Sequence, residues 1–309
     1  MTAIIFPGQG SQYLKMSMDF NENFDVARKV FEEIEDSTQI NIRKIIAENP
    51  SDNLNQTKYT QISIFSASMA IYKSLLNEVG NEIIKPNFFL GHSLGEYSAL
   101  AAGNFINIAD ASKLIKKRGE LMHSSIKPNV SGMAAIIGKN AVFIDDLIKK
   151  NNLKLVIAND NSPMQVVVSG LIEDIISSER LFSENGVKRY VKLNVSAAFH
   201  SNFMNDAQRE LINVIDKINF KNSNLSIISN YDSKINSNIE SIIFALKNQM
   251  ANRVRWTESI IKLEETDTTQ IIEIGPGKVL SGLIARITKK FDIKSIDKIE
   301  DLKKINYYE

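Results

Sequence analysis

The pentapeptide Gly91-His92-Ser93-Leu94-Gly95 is a G-x-S-x-G segment, with the apolar run Phe88-Phe89-Leu90 before it and helical spacing over 94–103 after it. A strand–turn–helix context of this kind lifts a serine hydroxyl onto a tight turn, and the flanking glycines are needed because side chains there would strike neighbouring backbone. The chemistry implied is nucleophilic attack by Ser93, with backbone N–H groups at the helix N-terminus to receive developing negative charge.

A serine nucleophile needs a base. The chain has three histidines, His92, His123 and His200, and none pairs with another at a metal-ligand spacing. His92 lies inside the turn, so its ring is expected to point away from the Ser93 hydroxyl. His123 sits among polar residues on a helix. His200 follows Val195-Ser196-Ala197-Ala198-Phe199 and is the candidate base. Asp206 and Glu210 lie on the helical stretch expected to carry His200, which would take them away from the ring. The expectation is therefore a Ser93–His200 dyad whose imidazole is held by a neutral group, an amide or a main-chain carbonyl.

Composition narrows the class. The 309 residues carry 37 basic and 36 acidic side chains, a net charge of +1, so no global basic field exists for nucleic acid or an anionic membrane. The chain has no cysteine, which excludes disulfides, thiolate metal sites and a cysteine nucleophile. No targeting pattern and no span of about 20 apolar residues is present. These features lead to the expectation of a soluble, cytoplasmic protein with no metal, no nucleic acid and no membrane as partner.

The elements that must position these residues alternate between strand and helix. Strands are expected at 3–6, 88–90, 225–230 and 270–274, and helices at 24–35, 39–48, 61–79, 94–103, 108–126, 201–217, 239–250, 256–265 and 278–290. Gly80 and Pro128 are read as helix ends. Between them and the later strands, 129–193 reads strand, helix, strand, strand, helix, strand, the split pattern of a ferredoxin-like unit. Segments 219–224 and 232–238 read as solvated loops, and the tail beyond 291 has little pattern. The fold class expected is α/β: an α/β-hydrolase-like parallel-sheet catalytic domain (1–128 and 194–309) with a ferredoxin-like subdomain inserted at 129–193.

Five segments in order resemble the malonyl-CoA:acyl-carrier-protein transacylase family, in its free-standing form from fatty acid or trans-acting polyketide synthesis. They are Phe6-Pro7-Gly8-Gln9-Gly10-Ser11-Gln12, Gly91-His92-Ser93-Leu94-Gly95-Glu96-Tyr97-Ser98-Ala99-Leu100, Arg118-Gly119-Glu120-Leu121-Met122, Ala198-Phe199-His200-Ser201 and Ile274-Gly275-Pro276-Gly277. The resemblance implies that Ser93 attacks a thioester carbonyl and His200 takes its proton. It implies an oxyanion hole from the Gln9 amide and the Leu94 N–H, where each donor can supply about 3 kcal/mol. Arg118 would grip the free carboxylate of the acyl group, and Gln61 would line the pocket. Phe199 would favour malonyl over its α-methyl analogue, and Gln249 would support the histidine. Two positions depart from the family pattern: Ile62 and Arg253 stand where a proline is common.

The activity so implied is ping-pong transfer from malonyl-CoA as substrate to the phosphopantetheine thiol of an acyl carrier protein, with no bound cofactor. The stretches 193–201 and 254–259 are closer to the polyketide type. An acyl-thioester hydrolase and an idle carrier-binding scaffold are the readings from other classes. Lys113, Lys116, Lys117, Lys289 and Lys290 are candidate docking charges for an acidic carrier.

Overall fold

The computed structural model describes residues 1–80, 84–126 and 129–305. Pro128, expected to end a helix and precede the insert, lies outside the described residues. Ten strands are found among the described residues: β1 (Thr2–Phe6), β2 (Pro86–Gly91), β3 (Ser131–Ile137), β4 (Leu155–Ser162), β5 (Gln165–Leu171), β6 (Arg189–Lys192), β7 (Ser226–Ile228), β8 (Ile235–Asn236), β9 (Gln270–Ile274) and β10 (Asp292–Ile296).

The first sheet has the order β10-β9-β1-β2-β7-β8 and is parallel except for β8. Its central strands are buried on both faces, as helix-covered parallel strands must be. Along β1 the side chains alternate: Ile4 and Phe6 enter one apolar core, Ala3 and Ile5 the other. Phe6 stacks on Phe89 of β2 at 6.4 Å between ring centroids. Helix Thr57–Val79 is buried on nearly every side, which its apolar, weakly amphipathic sequence anticipates, and Gly80 caps it.

The second sheet, β4-β5-β3-β6, is antiparallel throughout. With helices Ala141–Lys150 and Ile172–Glu184 between its strands, it has the ferredoxin-like order. One face, carrying Ala134, Ile136, Ile157, Val166 and Val168, closes over those helices. The opposite face gives Met133, Ala135, Ala158 and Val167 to the core of the first sheet. Main-chain bonds tie the two units together: Asp160 N–H donates to Val254 O at 2.9 Å, and Val254 N–H donates to Ala158 O at 2.8 Å.

That docking carries β4 past its apolar residues: 159–162, polar throughout, complete the strand because Val254 and Thr257 supply hydrogen bonds that a buried polar strand end requires. Within 232–238, read as a loop, β8 forms, and the tail beyond 291 forms edge strand β10. Both are short, one-sided edges whose alternation is too brief to register in sequence. The helix expected from 201 begins later: a 3-10 turn over Asn202–Met204 precedes helix Asn205–Ile215, so His200 stands outside it. No helix among the described residues is long and apolar enough to cross a membrane.

Candidate active site

Ser93 occupies the turn between β2 and helix Leu94–Ala102, with φ 54° and ψ −104°. That backbone conformation is costly for a residue with a side chain, about 1–3 kcal/mol, and persists only when its surroundings impose it. They do so through close backbone contact. A Cβ on Gly91 would lie 1.9 Å from the carbonyl carbon of Gly95, and one on Gly95 would lie 2.0 Å from Phe6 O. Asn230 adds the remaining constraint: its Oδ1 accepts from Ser93 N–H at 2.7 Å, and its Nδ2 donates to Gly91 O at 2.7 Å.

His200 lies against the serine, its Nε2 2.8 Å from Ser93 Oγ. Its Nδ1 is 3.1 Å from the main-chain carbonyls of both Gln249 and Asn252. A carbonyl only accepts, so Nδ1 carries the proton and Nε2 presents its lone pair to the serine hydroxyl. Burial pushes the imidazole down to about 3, with the Arg118 charge acting in the same direction. The ring is thus a neutral base over the physiological range. His200 has φ 54°, so it too is held in the left-handed region.

Arg118, on helix Ile108–Ser124, has no solvent exposure. Its hydrogen-bond partners are uncharged: Nη1 donates to Gln61 Oε1 at 2.6 Å, and Nη2 donates to Gln249 Oε1 at 2.9 Å and to Ser93 Oγ at 3.0 Å. Its Nε–H meets no acceptor. The guanidinium lies 5.0 Å from the Tyr97 ring centroid. Burial lowers its pKa from the ordinary arginine value, while Tyr97 and Glu96 act the other way. A buried cation with a donor unmet and no carboxylate bonded to it is costly unless an anion completes it.

Ser93, His200 and Arg118 border one cavity of about 100 Å³, together with Gln9, Gln61, Leu94 and Phe199. A neighbouring cavity of about 240 Å³ shares Gln9, His92, Asn159 and Leu193 with it. Gln9 Nε2 donates weakly, at 3.4 Å, to Thr57 Oγ1. Leu94 is the first residue of its helix, where main-chain N–H groups have no intrahelical acceptor. Ile62 sits in the buried interior of helix Thr57–Val79, one residue beyond Gln61. The carbonyl of Phe199 accepts from Ser169 Oγ at 2.6 Å, fixing the loop before the histidine. His92 turns away, its Nε2 2.8 Å from Asn161 Oδ1.

Gln249 meets the histidine through its main-chain carbonyl, and its side-chain amide reaches Arg118, Ser93 O (2.7 Å) and Glu96 Oε2 (2.9 Å). Asn230 and Glu96 were not anticipated. Asn230 is the last residue of the stretch 225–230 that reads as a strand, with no signal of its own, and Glu96 sits on a helix turn where a carboxylate usually faces solvent. Of the candidate docking lysines, Lys116, Lys289 and Lys290 donate to main-chain carbonyls and Lys117 pairs with Glu210 at 3.8 Å. No three His, Cys, Asp or Glu side chains are grouped to hold a metal ion among the described residues.

The family model described as "Acyl transferase domain" matches residues 3–304. The chain belongs to the acyl transferase family. This acyl transferase is 36% identical over 292 residues to the malonyl CoA-acyl carrier protein transacylase of Bacillus subtilis (strain 168), covering 93% of this chain and 90% of that one. It is also 36% identical, over 291 residues, to the polyketide biosynthesis malonyl CoA-acyl carrier protein transacylase PksC of the same organism, covering 94% and 98%. Among solved structures, a malonyl-transacylase in complex with a type II polyketide-synthase acyl-carrier protein superposes with a TM-score of 0.93 at 34% identity, covering 98% of each chain.

Proposed function

We propose that this acyl transferase carries malonyl from CoA to the phosphopantetheine thiol of an acyl carrier protein through an ester on Ser93. The carrying observation is a buried arginine with only uncharged hydrogen-bond partners, 3.0 Å from a serine that is itself 2.8 Å from a neutral imidazole. A malonyl carboxylate is the anion such a guanidinium lacks, and two charge-assisted bonds orient it. An acetyl group would leave the cation unpaired.

Ser93 Oγ bonds to the thioester carbonyl carbon while its proton passes to His200 Nε2. The oxyanion faces the Leu94 N–H and the Gln9 amide. The carbon–sulfur bond breaks and the proton leaves with the CoA sulfur. In the second half, His200 takes the proton of the carrier thiol, whose sulfur attacks the ester, and the proton returns to Ser93 as its bond to the acyl carbon breaks. Phe199 fills the space an α-methyl would need. The limits taken for the two units are 1–128 with 194–309 for the catalytic domain and 129–193 for the insert, with the acyl cavity at their join. A cytoplasmic setting fits the cysteine-free chain.

The acceptor favoured is a polyketide-type carrier, on the 193–201 and 254–259 segments; the equal identity to a Bacillus relative without that label supports a fatty acid carrier as the second reading. Mixing the protein with malonyl-CoA alone should add about 86 Da to Ser93. Each carrier class, added next, should discharge it to a different extent. No adduct, or an adduct that water removes as fast as a carrier does, overturns transfer and leaves hydrolysis.

A further inference from the structure

Glu96 is 1% exposed and forms no ion pair among the described residues, yet the transfer chemistry gives it no step. Its Oε2 accepts from Gln249 Nε2 at 2.9 Å and from Asn230 N–H at 3.1 Å. Those two residues bracket the nucleophile. Asn230 spans Ser93 N–H and Gly91 O, while Gln249 donates to Ser93 O and accepts from Arg118 Nη2.

We propose that Glu96 is a positioning residue for acyl selectivity, locking the Gln249 amide so that its oxygen faces Arg118 and the guanidinium is fixed against Ser93. The proposal rests on the reading that Arg118 holds the substrate carboxylate. Glu96 Oε2, which already accepts from Asn230 N–H, and the Ser93 carbonyl act as acceptors, so both N–H groups of the Gln249 amide must face them. Arg118 only donates, so the amide oxygen must face it. One orientation satisfies all four groups. Turned over, the amide would set N–H against N–H at Arg118 and oxygen against carboxylate at Glu96. Without Glu96, one of the two acceptors enforcing the orientation is gone, and the arginine loses its fixed neighbour.

The readout is the ratio of kcat/KM for malonyl-CoA to that for acetyl-CoA, in wild type, Glu96→Gln, Glu96→Ala, Gln249→Ala and the double Ala variant. Glu96→Ala is expected to lower the ratio about tenfold, mainly through the malonyl-CoA KM. Glu96→Gln, whose own amide oxygen can accept from the same donors, should restore it to within about threefold. The double variant should be no worse than Gln249→Ala, because the coupling runs through one amide. The proposal is overturned by a wild-type ratio in Glu96→Ala, by a Glu96→Gln ratio as low as that of Glu96→Ala, or by additive losses in the double variant. Gln249→Ala with a wild-type ratio overturns it even where Glu96→Ala does not fold. A wild-type enzyme with no malonyl preference would instead sink the reading of Arg118.

Discussion

Arg118 Nη2 and Ser93 Oγ stand 3.0 Å apart, with the guanidinium wholly removed from solvent. The group proposed to read a substrate's free carboxylate therefore also touches the proposed nucleophile, an arrangement that would put acyl recognition and acyl attack in one hydrogen-bonded cluster.

Arg118→Ala should separate the two. Loss of two charge-assisted bonds, about 1.5–3 kcal/mol each, predicts a fall in malonyl kcat/KM of roughly 10²-fold or more. Acetyl transfer should fall far less, since the bonds then lost, to Ser93 Oγ, Gln61 and Gln249, do not hold the acyl group. Competing malonyl-CoA and acetyl-CoA in self-acylation measures the ratio directly, and equal losses would remove Arg118 from carboxylate recognition.

Phe199→Ala should enlarge the acyl cavity beside His200. Methylmalonyl-CoA, which the ring is proposed to exclude, is expected to gain on malonyl-CoA by about tenfold in kcat/KM, within the range one methyl group commands. A ratio that does not move would show that the ring does not border the α-carbon.

Asn230→Ala should strip both main-chain groups of the nucleophile turn of their partner. Each buried unsatisfied group costs about 1–3 kcal/mol, so the urea midpoint should fall well beyond that of an exposed Asn→Ala change. The acylation rate should fall with it, because one of the constraints on φ and ψ at Ser93 is removed. A variant of wild-type stability would contradict the bracing role.

The pH dependence of stability carries opposite signs at two buried groups. His200 is lowered from 6.5 to about 3, so below 6.5 the unfolded chain binds a proton that the folded one refuses. Its contribution is whole above 6.5 and is lost as pH falls toward 3. Glu96 is raised from 4.5 to about 7 by burial, so its contribution is whole below 4.5 and is lost as pH rises through 7. Comparing wild type with His200→Gln isolates the first: the stability of wild type relative to the variant should drop between pH 7.5 and pH 5 in urea titrations. A constant difference would mean the imidazole is not held neutral.

Much of this site is legible in the amino-acid sequence. Gly91-His92-Ser93-Leu94-Gly95 after an apolar strand specifies the sharp turn, since local sterics alone demand those glycines. The absence of cysteine and the scarcity of histidine leave His200 as the candidate base, and the strand–helix alternation gives the two-sheet plan. The tertiary structure decided the rest, because each remaining contact joins residues far apart in the chain. The main-chain carbonyls of Gln249 and Asn252 set the imidazole tautomer, and carbonyls carry no signature in residue identity. Asn230 and Glu96 matter only through what surrounds them: a polar side chain at a strand's end and a helix carboxylate become structural when burial removes water and leaves each a single set of partners. Residue type fixed which groups were available; the packing of the two sheets fixed which of them meet.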